Sequence, residues 1–151
     1  MRKKDLDEVI GDLLSLTPLI RRSIHRKLLK AAFTKVEADV GMPHLEIMKI
    51  LEVEGTRHIA EIGERLQIPK PQMTHLIDRL ENLGIVRRES DENDRRITNV
   101  VLTDRGRTIV QEIDENLYDG ISDTLSCLSD TELRDLSLSL KKLRDLLDKI
   151  S

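Results

Sequence analysis

Polar and basic side chains at helical spacing between Pro69 and Leu83 are the groups in this sequence best suited to chemistry. They are Lys70, Gln72, Thr74, His75 and Arg79, with Pro71 in the first turn of the same segment. If Met73, Ile77 and Leu80 face a protein core, these side chains face outward. A glutamine can bond adenine bidentately, and a threonine can touch base edges or the thymine methyl group. The pattern predicts either a helix that reads duplex DNA or an ordinary solvated helix face.

A second charged group follows in a segment whose apolar residues change period. It comprises Arg87 and Arg88, then Asp94, Arg95 and Arg96. Residues 85–89 are strand-like, residues 90–94 form a polar turn, and residues 97–102 are rich in β-formers with Val100 and Leu102 on one face. The segment predicts a β-hairpin. Taken alone, its charges are typical of a solvated hairpin tip.

Two short helical segments precede this hairpin, at residues 59–66 and 69–83. Pro69 and Pro71 suit a first helical turn, and Gly84 suits the position just past a last turn. Helix, short turn, helix and then hairpin is the order of a winged helix-turn-helix, in which the second helix is the recognition helix. This order is much more specific than either half alone.

Longer helical patterns flank that core. The first runs from about residue 5 to residue 32, and Pro18 should kink or restart it with Thr17 as a cap. A further helix should begin at Pro43 and end at Gly55. Two more helices follow: Thr103 can cap the first, and a capping box at Ser129 starts the second. The Leu-rich stripes at both chain ends predict intrachain core, a dimer interface, or both.

Composition limits the classes of protein. The 151 residues fit one domain, and the net charge of −3 means that DNA binding requires a local arrangement of basic residues. With 1% aromatic residues, a single-strand nucleic-acid module is disfavoured, because such modules stack bases on aromatic rings. No apolar run approaches the roughly 20 residues of a membrane span. We therefore expect a cytoplasmic protein with no membrane partner.

Catalytic and metal-binding patterns are absent from the sequence. It contains no Gly-rich loop, no His-Glu-x-x-His and no serine elbow, so we expect no enzyme and no cofactor. Its histidines show no metal-ligand spacing: His25, His44, His58 and His75. Cys127, the one cysteine, is interpreted as a small apolar residue beside Leu125 and Leu128, with a redox-sensing thiol as the alternative.

Residues 69–106 resemble the MarR family of bacterial and archaeal regulators. The resemblance is carried by Ile-Pro-Lys-Pro-Gln-Met-Thr-His-Leu-Ile-Asp-Arg-Leu-Glu-Asn-Leu-Gly and Ile-Val-Arg-Arg, then by Asp94-Arg95-Arg96 and Val-Val-Leu-Thr-Asp-Arg-Gly. The helical order of the rest agrees over nearly the whole chain. Two departures are Asn99, where longer forms of the wing motif carry another basic residue, and His75, where many members have arginine.

The resemblance implies a single MarR-type domain over residues 1–151, mainly α with a small β-hairpin wing. Residues 43–105 would form the winged-helix region, and residues 1–35 with 106–151 the dimerisation region of a homodimer. In the wing, Asp94 would orient an arginine by a salt bridge while Arg96 enters the minor groove, which attracts arginine where it is narrow. Arg87, Arg88 and Arg105 are weaker phosphate candidates.

Function follows from the same resemblance. The expected protein is a repressor that binds a pseudo-palindromic operator and is relieved by a small, often anionic aromatic ligand. The competing interpretation is a helical adaptor whose winged helix binds protein. Salt-sensitive binding of duplex DNA would distinguish the two, because neutralising phosphates releases counterions.

Overall fold

The computed structural model describes residues 2–150 and contains seven α-helices and three short strands over that range. The helices are α1 (Arg2–Ile20), α2 (Arg26–Ala32), α3 (Met42–Glu54), α4 (Ile59–Arg65), α5 (Lys70–Asn82), α6 (Asp104–Leu125) and α7 (Asp130–Leu147). The strands are β1 (Arg57–His58), β2 (Val86–Ser90) and β3 (Thr98–Leu102). The prediction of a mainly α chain with a β-hairpin wing is confirmed.

The chain divides into two compact units. One comprises residues 29–117, and the other comprises the two chain ends up to residue 28 and from residue 118. The first unit extends beyond the 43–105 expected for the winged helix. The reason is packing: Ala32 and Val40 on one side, and Ile109, Val110 and Ile113 on the other, are buried in the same hydrophobic core.

The helix-turn-helix forms because its apolar residues share the core of that unit. Ile62 of α4 is buried with Met73, Ile77 and Leu80 of α5. Gly63 lies against Met73, and a Cβ added there would be 2.9 Å from the Met73 Cγ. Pro71 lies in the first turn of α5, where a missing N–H has no helical partner to lose. Gly84, at φ 71°, ends the segment in a left-handed conformation that suits glycine.

The wing is a three-stranded antiparallel sheet in the order β1-β3-β2. In the hairpin, Val86 pairs with Leu102 and Ser90 with Thr98. Val100 and Leu102 are both buried, as the alternation predicts, and Val86 is buried as well. The residue pattern does not predict β1, because this strand has only two residues. Arg57 pairs with Val100 and His58 pairs with Asn99.

Of the kink or restart expected at Pro18, the restart is wrong. α1 continues through Pro18 to Ile20, and a π-helical turn follows at Arg21–His25. Thr17 does not cap a new helix, because its hydroxyl donates to the Leu13 carbonyl oxygen at 2.8 Å. The regular helical pattern is thus interrupted after the proline, by a single π turn between α1 and α2.

The unit formed by the chain ends leaves its apolar residues exposed. Over the described residues, neither α1 nor α7 has a buried side chain. Large apolar side chains are exposed along both helices: Leu6, Val9, Ile10, Leu13, Leu14, Leu16 and Leu19, then Leu133, Leu138, Leu140, Leu146 and Leu147. The Leu-rich stripes therefore do not form an intrachain core of their own.

Candidate nucleic-acid interface

The outward face of α5 carries the polar residues that the sequence singled out. Lys70, Pro71, Gln72, Thr74, His75 and Arg79 are all exposed. The Thr74 hydroxyl donates to the Lys70 carbonyl oxygen at 3.1 Å, and neither Gln72 nor His75 makes a side-chain hydrogen bond within the described part of the chain. Burial of Met73, Ile77 and Leu80 fixes this orientation, so the polar side chains lie along the opposite side of the helix.

Arg79 is the exposed α5 residue that pairs with a carboxylate. Its Nη2 donates to the Asp39 carboxylate at 2.7 Å, and its Nε lies 3.4 Å from the Asp39 carbonyl oxygen. The Asp39 side chain is 93% exposed. Asp39 belongs to the loop between α2 and α3, and this contact was not apparent from the sequence because forty positions separate the two residues.

Two carboxylates shape the tip of the wing, and Asp91 is the first. It accepts hydrogen bonds from the backbone N–H groups of Asn93 and Asp94, both at 3.1 Å, and from the Asn99 side chain, also at 3.1 Å. The amide of Asn99 and then the backbone N–H of Asn93 lower the pKa of Asp91. The turn is therefore held by an ionised carboxylate, which favours a fixed hairpin tip.

The side chain of Asn99 stabilises the turn at the tip of the wing. Its Nδ2 binds Asp91, while its Oδ1 is buried and has no hydrogen-bond partner among residues 2–150. A basic residue at this position would have extended the charge of the wing. Here the amide holds the turn instead, which is a physical account of this departure from the family motif.

Asp94 and Arg96 form the second pairing at the tip. The Asp94 carboxylate accepts from the Arg96 backbone N–H at 3.0 Å, from its Nε at 3.1 Å and from its Nη2 at 3.2 Å. The Arg96 side chain nevertheless stays 90% exposed. These bonds from Arg96 lower the pKa of Asp94. Arg95 is exposed and has no ion pair within the described range.

Arg88 has different surroundings from the arginines at the tip. Its Nη2 donates to Asp78 at 2.6 Å and its Nη1 donates to Glu81 at 2.9 Å. Its side chain is 29% exposed. Asp78 and Glu81 belong to α5, so Arg88 joins the base of the wing to the predicted recognition helix.

The Leu-Thr-x-x-Gly part of the motif fixes the base of the hairpin to α6. The Thr103 hydroxyl lies 2.6 Å and 2.9 Å from the carbonyl oxygens of Gly84 and Ile85, and it accepts from the Gly106 N–H at 3.1 Å. A Cβ on Gly106 would collide with the Ile85 carbonyl oxygen and the Leu102 side chain. Thr103 thus caps α6, as predicted, and the glycine permits close packing.

Other kinds of site find little support in the part of the chain that the structure describes. No group of three potential ligands could hold a metal ion there. No described helix is long and apolar enough to cross a membrane. Cys127, expected to pack as a small apolar residue, is exposed within the single chain.

Comparison with known proteins agrees with the wing motif. The model of the MarR family matches residues 40–98. The chain is 30% identical over 115 residues to the HTH-type transcriptional regulator FarR of Neisseria gonorrhoeae, covering 74% of this chain and 79% of FarR. It is 31% identical over 97 residues to the uncharacterized regulator YfiV of Bacillus subtilis, covering 64% of this chain and 61% of YfiV, which is less than two thirds of that relative.

The fold has counterparts among solved structures. The crystal structure of YusO from Bacillus subtilis superposes with a TM-score of 0.74 and 26% identity, covering 92% of this chain and 96% of that one. Motif, fold and relatives point to a transcriptional regulator and not to an enzyme, and the chain belongs to the MarR family of winged helix-turn-helix regulators.

Proposed function

We propose that this chain works as a homodimer that binds a pseudo-palindromic operator in the cytoplasm, with α5 in the major groove and the wing in the minor groove. The residues that support the proposal belong to one compact unit. Exposed Gln72, Thr74 and His75 stand on a helix whose opposite face is buried, and the exposed Arg95 and Arg96 stand on the adjoining hairpin.

α5 and the wing would contribute differently to DNA binding. In the major groove each base pair presents a distinct pattern of donors and acceptors, which Gln72, Thr74 and His75 can read. Lys70 and Arg79 would meet phosphates, and Pro71 would lie near the backbone at the helix start. The sequence also suggested Arg88 as a phosphate ligand, but its guanidinium is already bound to Asp78 and Glu81. Arg96, oriented by Asp94, would supply positive charge to the minor groove together with the exposed Arg95.

The dimer is supported by the exposed apolar side chains of α1 and α7. Contiguous exposed apolar surface marks interaction sites in soluble proteins. A second copy of the chain carries the same exposed apolar helices, so it is a suitable partner for them. The operator of a two-fold symmetric dimer would have matching two-fold symmetry.

The regulatory outcome rests on the family. We infer repression relieved by a small aromatic anion, which would need different affinities for the DNA-competent and DNA-incompetent conformations. A ligand of this kind should weaken duplex binding and raise the thermal stability of the protein, because it binds the native state. A screen of small aromatic acids in which none has either effect would contradict this part of the proposal.

Selection of duplexes from a random pool tests the DNA-binding role. The proposal predicts enrichment of a pseudo-palindrome, bound with an affinity that falls steeply as salt is raised. If no duplex is retained at low salt, the winged helix does not bind DNA, and the adaptor interpretation would replace this one.

A further inference from the structure

Arg88 makes its contacts inside the protein, although its position in a basic stretch suggests a phosphate ligand. Its two terminal nitrogens bind Asp78 at 2.6 Å and Glu81 at 2.9 Å. Its side chain is 29% exposed, against 90% for Arg96 at the tip of the same wing. Because the positive charge of Arg88 already faces two carboxylates, a phosphate would have to compete with Asp78 and Glu81 for the guanidinium.

The Glu81 carboxylate also binds a backbone N–H group at the edge of the sheet. β2 is an outer strand in the order β1-β3-β2, so its outward N–H groups have no strand partner. The Arg88 backbone N–H donates to Glu81 Oε2 at 3.1 Å, while the Arg88 guanidinium binds Glu81 Oε1. One carboxylate of α5 therefore holds both the backbone and the side chain of a single β2 residue.

The two acidic residues lie on the side of α5 that the proposed function assigns to DNA. Asp78 follows Thr74 by four positions and His75 by three, and Glu81 follows Asp78 by three, so these side chains are neighbours along the helix surface. Without a counter-charge, two carboxylates there would repel the phosphates flanking the groove. Burial lowers the pKa of Arg88, but the hydrogen bonds to Asp78 and Glu81 outweigh it and raise the pKa overall, so the guanidinium stays charged.

We propose that Arg88 is a positioning residue: it ties the base of the wing to the recognition helix and offsets the charge of Asp78 and Glu81, and it does not contact DNA. The inference rests on the proposed function, since the wing and helix must approach one duplex together. Arg88 would then affect DNA binding only through its contacts with Asp78 and Glu81.

A double-mutant cycle tests this role. Arg88→Met is made in the unmodified chain and in the Asp78→Asn/Glu81→Gln background, and each protein is titrated with the selected operator and a scrambled duplex. In the unmodified background we expect both duplexes to bind about tenfold more weakly, because the carboxylates of Asp78 and Glu81 then face the DNA phosphates without a counter-charge. In the neutral background the loss on the scrambled duplex should shrink to about twofold or less, since no uncompensated carboxylate remains.

A direct phosphate contact gives the opposite result. Arg88→Met would then weaken binding as much or more in the neutral background, and it would reduce the slope of log affinity against log salt by about 0.9 in each background. Arg87→Met is the matched control, because Arg87 is the neighbouring exposed arginine and pairs with Glu89 on its own strand, not with α5. Its effect should be the same in both backgrounds.

A spectroscopic measurement covers the case in which Arg88→Met does not fold. In the unmodified protein, labelled with nitrogen-15 arginine, the Arg88 guanidinium signals should stay in place when the operator is added. A large shift on DNA binding would overturn the inference. If the unmodified protein retains no duplex at all, the proposed function fails; if it binds DNA but the cycle shows no coupling, only the role of Arg88 fails.

Discussion

The Asp94 carboxylate holds Arg96 by three hydrogen bonds, one from the backbone N–H at 3.0 Å and two from the guanidinium at 3.1 and 3.2 Å. Acid and base are two residues apart at the tip of the wing, and the arginine remains 90% exposed. The pair directs the guanidinium while leaving its outer surface accessible. An arginine oriented in advance loses less side-chain entropy when it enters a groove.

Replacement of Arg96 by alanine should weaken binding of the operator and of a scrambled duplex together. Minor-groove potential and phosphate contacts carry little base information, so neither duplex should be spared. The slope of log affinity against log salt should fall by about 0.9 for each phosphate that the arginine neutralises in the unmodified protein. Titrations at two salt concentrations measure both effects. A weakening confined to the operator would show that Arg96 reads sequence.

Asp39 should restrain Arg79, so Asp39→Asn should strengthen DNA binding. The Arg79 guanidinium pairs with Asp39 at 2.7 Å, and a phosphate would have to replace that exposed carboxylate. An exposed ion pair contributes up to about 1 kcal/mol, which corresponds to a gain of about two- to fivefold in affinity. Glu37→Gln is the control, because it removes the same charge from the same loop at an exposed residue. Equal gains from both variants would point to net charge alone.

His44 should make the stability of the protein depend on pH. The Gly41 N–H donates to its Nδ1 at 3.0 Å, which requires an unprotonated nitrogen. Burial and the nearby Arg79 lower the pKa of His44 below 6.5, with Asp39 acting in the opposite direction. The unfolded chain therefore binds the proton more readily than the folded chain does. This contribution is complete above pH 6.5 and is lost as the pH falls through the folded value.

Chemical unfolding at a fixed protein concentration, at about pH 7.5 and at lower pH values, measures that dependence. His44→Gln keeps a polar side chain but cannot titrate, so its free energy of unfolding should fall less on acidification than that of the unmodified protein. Identical pH profiles for the two proteins would show that the histidine contributes nothing to the pH dependence.

Leu140→Asp should disrupt the dimer. Leu140 of α7 is 54% exposed in the single chain, and a charge placed in an apolar interface costs desolvation energy. Sedimentation at micromolar concentration should show two chains for the unmodified protein and a shift towards one for the variant. Ser139→Asp adds the same charge to the neighbouring exposed position and should leave the dimer intact. A stable, folded monomer of the unmodified chain would contradict the assignment.

Much of the fold follows from local signals in the sequence. Proline at the start of α5, glycine after it and the capping box at Ser129 act within one or two turns, so their consequences can be predicted. The Ser129 hydroxyl accepts from the Glu132 N–H at 3.2 Å, while the Glu132 carboxylate accepts from the Ser129 N–H at 2.8 Å. The restart expected at Pro18 is wrong, because α1 continues through the proline and the regular helix is interrupted only at the π turn of Arg21–His25, which periodicity does not reveal.

The partners of the basic residues could not be predicted in the same way. The sequence identified Arg79, Arg88 and Arg96 as candidates for DNA contact. Asp39 lies forty positions from Arg79, and the two carboxylates that hold Arg88 lie on another element. Only the pairing of Asp94 and Arg96 is local enough for a motif to preserve it. The charge available to DNA is therefore smaller than the number of arginines suggests.

The most direct test of the account is whether α5 reads sequence while the wing supplies charge. Gln72→Ala and His75→Ala are titrated with the selected operator and with a scrambled duplex, beside Arg96→Ala. A helix variant should lose on the order of 1–3 kcal/mol of binding free energy on the operator if it breaks a bidentate contact, and far less on the scrambled duplex. His75 should lie at the low end of that range if it makes a single hydrogen bond. Equal losses on both duplexes for the helix variants, with an operator-only loss for Arg96→Ala, would contradict the account.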